Sequence, residues 1–176
     1  MQLKNTREEL NKFAKYVIQQ SRANLTRQGK NVSSDLYKSL DYKVDTGANW
    51  IALEFFMLPY AYYQDRGVKG KTSTYPEIAK YGTLAKFGSG KGKKGGLTKG
   101  IDKWVRKKRF QFRNKETGRF MSYESTAFLI TRSVYNKGIK PSLFFTKPFE
   151  KAFKNLPKEL IESFNLDLDN FFDFTT

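Results

Sequence analysis

Apolar residues recur at intervals of three and four between Thr6 and Gln28, at Leu10, Phe13, Ala14, Val17, Ile18 and Leu25. That spacing gathers them on one stripe of a helix, with Lys12, Lys15, Gln19 and Arg22 on the opposite side. Thr6 and Glu9 have the spacing of a capping box, and Gly29 supplies a left-handed stop. Ser33 or Ser34 can cap a short helical turn that holds Leu36, Tyr37 and Leu40. The period then drops to two. Tyr42 and Val44 alternate with Asp41, Lys43 and Asp45, turn residues follow from Thr46 to Asn49, and Trp50 to Leu58 reads as a second strand. In that strand Ile51, Leu53, Phe55 and Met57 share one face, while Trp50, Ala52, Glu54, Phe56 and Leu58 share the other. Two largely apolar faces predict a central strand covered on both sides.

Pro59 ends the strand and opens a short helix through Tyr60, Tyr62, Tyr63 and Asp65, stopped by Gly67. Between residues 67 and 100 lie nine of the 13 glycines without helical periodicity, which predicts a long flexible loop. Its Gly88 to Gly96 run resembles a phosphate-cradling loop only in composition. No glycine stands six before a Gly-Lys-Ser/Thr, and no apolar strand leads in, so nucleotide binding is not expected. Ile101, Trp104 and Val105 suggest a short helix with Lys103 and Arg106 to Arg109 outward. Phe110, Phe112 and Phe120 flank a turn at Asn114 to Gly118, which predicts a small hairpin; its phenylalanines, interleaved with Arg and Lys, can track a nucleic-acid backbone, but at a hairpin more often form a satellite core. A further helix is predicted from Tyr123 to Lys137, ended by Gly138, and then an irregular stretch broken by Pro141. Thr146 can cap the next helix, which carries Pro148 in its first turn and buries Phe149, Ala152 and Phe153. Pro157 begins a last one, with Leu160, Ile161, Phe164, Leu168, Phe171 and Phe172 as an apolar stripe. The pattern is that of an α+β chain: a long N-terminal helix, a small antiparallel sheet around a hairpin, further helices, a long basic loop insertion and a C-terminal helical extension.

Charge changes the picture. The 176 residues carry 33 Lys+Arg against 17 Asp+Glu, and +14 of the net +16 falls between Arg66 and Lys115. A charge so confined is a surface aimed at a polyanion rather than general solubility. Residues 157–176 hold one Lys and five acids, which makes the last helix an acidic docking segment for its own domain or a neighbour. The expected organisation is therefore one domain over residues 1–156, interrupted by a basic insertion over 66–115, with a docking helix over 157–176. The chain has neither cysteine nor histidine, which excludes disulfides, thiolate or imidazole metal sites, and the commonest general base. Met1 to Leu10 is polar and no window approaches 18 apolar residues, so neither a signal peptide nor a membrane partner is expected.

Three stretches, in order, resemble the tail-completion (tail-component) family of tailed bacteriophages, small neck proteins that form a ring where head and tail join. Leu36-Tyr-Lys-Ser-Leu40 running into Tyr42-Lys-Val44 is similar to the family's entry into its first strand. Tyr60-Ala-Tyr-Tyr-Gln-Asp-Arg-Gly67 is similar to its Tyr-Ala turn after the second strand. Gly138-Ile-Lys-Pro141, with Phe144 to Phe149 and Ala152, is similar to its Pro-Phe start of a late helix. The resemblance spans about residues 5 to 155, and the Lys-Gly insert, the helix from Tyr123 and the acidic tail depart from the family pattern. It implies a homo-oligomeric ring subunit of the virion, made in the host cytoplasm. Such a subunit would be non-catalytic and without cofactor or metal, would adjoin portal-side and tail proteins, and would have double-stranded DNA in or near its lumen.

The candidate DNA- or partner-contacting residues are Lys91, Lys93, Lys94, Lys99, Lys103, Arg106, Lys107, Lys108 and Arg109. Candidate subunit-interface residues are Tyr60, Tyr62, Tyr63, Phe164, Leu168, Phe171 and Phe172. Two alternatives stand beside the neck expectation. One is a nucleic-acid-binding protein acting as monomer or dimer. The other is a magnesium-dependent nuclease that uses Asp41, Asp45, Glu54 and Asp65.

Overall fold

The computed structural model describes residues 3–47, 50–81, 83–89 and 95–173, the side chains of 172 and 173 excepted. Its elements run α1 (Lys4–Arg27), α2 (Asp35–Ser39), β1 (Asp41–Thr46), β2 (Ile51–Phe56), α3 (Ala61–Arg66), β3 (Val68–Lys69), α4 (Pro76–Tyr81), α5 (Gly96–Lys108), α6 (Tyr123–Lys137), β4 (Gly138–Ile139), α7 (Thr146–Phe153) and α8 (Leu156–Asp173). The class is α+β, as the pattern predicts. Contacts divide the chain at 59/60 and 142/143, into a unit of Met1–Pro59 with Leu143–Thr176 and a unit of Tyr60–Ser142. The composition-based division followed charge and placed its boundaries at 66, 115 and 156.

In the first unit α1 buries the expected stripe, and Leu10, Phe13 and Val17 join Val44 and Leu156 in one core. Tyr42, Ile51, Leu53, Phe55, Phe145, Phe149 and Leu160 pack around them. Phe149 is the hub of the aromatic part, 5.5 Å from Phe13, 6.1 Å from Phe55 and 5.9 Å from Phe145. Edge-on contacts among Phe13, Phe55 and Phe149 match the preference of ring quadrupoles. α1 ends at Gly29, with φ +65°, through the paired bonds Gly29 N–H to Thr26 C=O and Lys30 N–H to Leu25 C=O.

Several local expectations change. Thr6 lies inside α1 and makes no capping box, because the first turn is capped from a distance by Asp167. Ser34 precedes α2 but lends it no side-chain cap; Arg22 closes that helix from the other end, its Nε and Nη2 donating to the carbonyls of Tyr37 and Leu40. Phe145, not Thr146, precedes α7, and Phe153 is half-exposed rather than buried. β2 is no central strand: among the described residues it pairs only with β1, Asp41 opposite Phe56 through Thr46 opposite Ile51. One face of the hairpin meets the core. The other is made polar by β1, which sets Lys43 opposite Glu54 and draws Lys43 to Asp45 at 2.7 Å. Phe56 and Trp50 remain exposed at its two ends.

The second unit holds what composition read as a loop. β3, α4 and the first turn of α5 fall within residues 67–100, and the helix expected around Ile101 to Val105 begins at Gly96 rather than after Gly100. β3 pairs antiparallel with β4, and Lys69 also bridges Lys86 in parallel. α5 packs on α6, burying Val105 and Ala127. α6 has its expected bounds, with Ser122 accepting from the Ser125 N–H at its start. Glycine is required at its end: Gly138 has φ +91°, and a Cβ there would meet the Val68 carbonyl.

Candidate polyanion-binding surface

The cations of α5 owe their arrangement to its one buried face. Val105 is fully enclosed and Ile101 half-buried, so Lys99, Lys103, Arg106 and Lys107, spaced at three, four and eight, are turned outward together. The helix then stops abruptly. Arg109 takes a left-handed conformation, φ +52°, with its N–H on the Arg106 carbonyl and the Phe110 N–H on that of Val105. A non-glycine residue in that region stores about 1 kcal/mol of strain, and it holds the Arg106 to Arg109 run at a fixed corner.

After the corner comes the predicted hairpin, built on one antiparallel bridge between Arg113 and Phe120 and closed at Gly118, φ +67°. It is tied to the scaffold by the Phe112 N–H on Thr126 Oγ1, at 3.3 Å, and by Gln111 Nε2 on the Met121 carbonyl, at 2.8 Å. Among the described residues no second layer covers a hairpin this small. Its phenylalanines consequently do not form the expected satellite core: Phe110, Phe112 and Phe120 are 40%, 37% and 62% exposed, and Trp104 on α5 is 39% exposed. Trp104, Phe110 and Phe112 form a chain of rings 6.3 and 5.2 Å apart, while the Arg113 guanidinium lies 4.6 Å from the Phe120 centroid. The result is an aromatic rim set among cations. Sequence reading named the cations and held aromatics interleaved with them as the second reading of Phe110, Phe112 and Phe120, behind a satellite core; their exposure favours the second.

Arg106 differs from its neighbours. Its Nε donates to both carboxylate oxygens of Asp102 at 3.1 and 3.0 Å, its Nη2 is 3.8 Å from Glu124, and it lies over the Tyr123 ring. The Asp102 hydrogen bond, more than any other interaction, holds Arg106 above the ordinary guanidinium pKa. It clamps α5 to α6 and is the least available of the candidate cations. Lys99, Lys103, Lys107, Lys108 and Arg109 are exposed and stand outside the ion pairs of the described residues. Lys91, Lys93 and Lys94 lie outside the described residues.

The tyrosines form a second feature of this unit. Tyr60 and Tyr63 line a cleft of ≈ 620 Å³ together with Val68, Leu84, Phe87 and Ile139. Tyr62 stands edge-on to Tyr63 at 5.6 Å, and all three rings are close to half exposed. Gly67 ends α3 with φ +82°, and a Cβ there would stand 2.5 Å from the Ile139 carbonyl and 3.0 Å from Pro141. Ser142 Oγ donates to the Gln64 carbonyl at 2.6 Å.

Of the acidic residues, Asp41, Asp45 and Glu54 share the outer face of the hairpin, whereas Asp65 is buried in the other unit. Among the described residues no three His, Cys, Asp or Glu side chains are grouped to hold a metal ion. No described helix is long and apolar enough to cross a membrane. On α8, Phe164 and Phe171 are each 42% exposed and Leu168 is half-buried; the Phe172 side chain lies outside the described residues. No protein family, no curated protein and no solved structure matches this chain.

Proposed function

We propose that this chain is a structural virion protein of a tailed phage, a head-tail connector or tail-completion subunit that assembles into a ring in the neck. Its basic surface faces DNA or an adjacent ring protein. The observation that carries the reading is the meeting of two of the three resembling stretches. Tyr60 to Gly67 and Gly138 to Pro141 are some seventy residues apart in sequence, yet Gly67 approaches Ile139 and Pro141 more closely than any larger residue could. The stretch from Gly138 also supplies Phe145 and Phe149 to the aromatic core, and the remaining one, Leu36 to Val44, supplies Val44 and Tyr42 to the same core. The residues behind the resemblance are thus those that close the fold, and that supports reading them as a family pattern rather than chance composition.

Two experiments test it. Disrupting the gene in the genome that encodes this chain is expected to leave filled heads and separate tails, with joined particles restored by supplying the chain in trans; normal virions from the disrupted genome would overturn the reading. In vitro, duplex DNA is expected to bind without sequence preference and to stay uncleaved in magnesium. Replacing Lys103, Lys107, Lys108 and Arg109 by alanine should weaken binding and flatten its salt dependence by roughly 0.9 in log–log slope for each phosphate left unneutralised. Magnesium-dependent cleavage abolished by Asp65→Ala would favour the nuclease instead.

A further inference from the structure

Two surfaces of this chain remain apolar, exposed and opposite in charge. The first is on α8. Leu156 and Leu160 join the core, and Ser163 and Asp167 are buried further along the same side, so the helix meets α1 along the line 156, 160, 163, 167. That rotation turns Ile161 and Phe164 of the expected stripe outward while Leu160 faces the core. Ile161 is 63% exposed and Phe164 42%, with Leu168 half-buried beyond them, and the exposed acids Glu162 and Asp169 flank them on the solvent side. The second surface is the rim of Trp104, Phe110, Phe112 and Phe120 among the cations of α5 and the hairpin. By sequence, the unit from Tyr60 to Ser142 carries 20 Lys+Arg against 5 Asp+Glu, while Leu156 to Asp173 carries one against five.

We propose that α8 of one copy docks on the aromatic, cationic rim of a second copy. Ile161, Phe164 and Leu168 have the i, i+3, i+7 spacing of an amphipathic helix presented to an apolar shelf. Aromatic residues at the centre with complementary charge around them is the composition of a specific interface. A nucleic acid would account for the cations and the rings, but it leaves the α8 stripe and its acidic flank without a role. A second copy accounts for both surfaces with one interface. The interface is heterologous, since α8 of one copy meets the rim of another, and repetition therefore generates a ring or an open filament. The inference rests on the proposed function only in that copies associate.

Sedimentation velocity of the full chain at physiological salt tests it with two charge reversals, Glu162→Lys with Asp169→Lys, and Lys107→Glu with Lys108→Glu. All four positions are exposed, and circular dichroism checks that each variant folds. The wild type is expected to associate at tens of micromolar, and each variant alone to do so at least tenfold more weakly. An equimolar mixture of the two should regain association, because each reversed helix then meets a rim of opposite sign. Variants that associate like the wild type would place the interface elsewhere, overturning this inference while leaving the neck reading intact. A wild type monomeric throughout would also overturn it, and the gene disruption would still decide the neck reading. If Lys107→Glu with Lys108→Glu abolished DNA binding but left self-association unchanged, the rim would be a nucleic-acid face and the inference would fail.

Discussion

At the scale of single residues, Asp167 is the most consequential side chain that periodicity could not reveal. Its carboxylate accepts from the Asn5 and Thr6 amides at 2.9 Å each, from Asn5 Nδ2 at 3.0 Å and from Thr6 Oγ1 at 2.7 Å. Burial pushes its pKa up, and these four donors outweigh burial, so the net displacement is downward. A carboxylate whose folded pKa lies below its unfolded value stabilises fully above the unfolded value and loses that contribution as the pH falls through the folded one. Stability measured by urea unfolding should therefore drop below about pH 4. Asp167→Ala should cost about 1–3 kcal/mol at neutral pH and remove that part of the acid dependence. Arg109 makes the opposite case, since its left-handed backbone is strained for any residue with a Cβ. Arg109→Gly should raise stability by about 0.5–1 kcal/mol while weakening DNA binding, which separates a cation kept for its charge from one kept for the fold.

At the scale of elements, the sequence revealed existence better than orientation. α1 and α6 were legible to within a few residues because each has a long apolar period or a clear glycine stop. α8 was legible as a helix, but its rotation was not: the stripe of Ile161 and Phe164 is exposed, and a line ending in Ser163 and Asp167 is buried instead. Hydrophobicity alone misreads such a helix, because a carboxylate that satisfies a distant helix terminus displaces an apolar face from the inside. β2 fails differently. Its two apolar faces implied a central position, whereas β1 places charged residues beside its outer face. β3, α4 and the first turn of α5 were hidden by glycine content, since β3 and α4 are too short to show a period. The aromatic cluster, by contrast, follows from Phe13, Phe55 and Phe149 all lying at expected inward positions. Phe149→Ala should cost about 3–5 kcal/mol in denaturant unfolding, because removing a hub ring from among Phe13, Phe55, Phe145 and Phe153 leaves a cavity they cannot fill.

For the whole molecule the decisive quantity is the net charge of +16 set against local complementarity. Docking an acidic α8 on a basic rim neutralises charge at the interface but leaves every copy strongly cationic. Two copies attract over the few ångströms of the interface and repel over longer range. The Debye length is about 30 Å at 0.01 M salt and about 8 Å at 0.15 M, so low salt extends the repulsion across neighbouring copies while physiological salt confines interactions to the interface itself. Self-association should therefore pass through a maximum near physiological salt, weakening below it through net repulsion and above it as the local pairs are screened. A protein whose basic surface only binds DNA would show no such maximum, and its DNA affinity would fall monotonically with salt. Sedimentation across a salt series without DNA distinguishes the two: association without a maximum would mean that the charge serves nucleic acid alone.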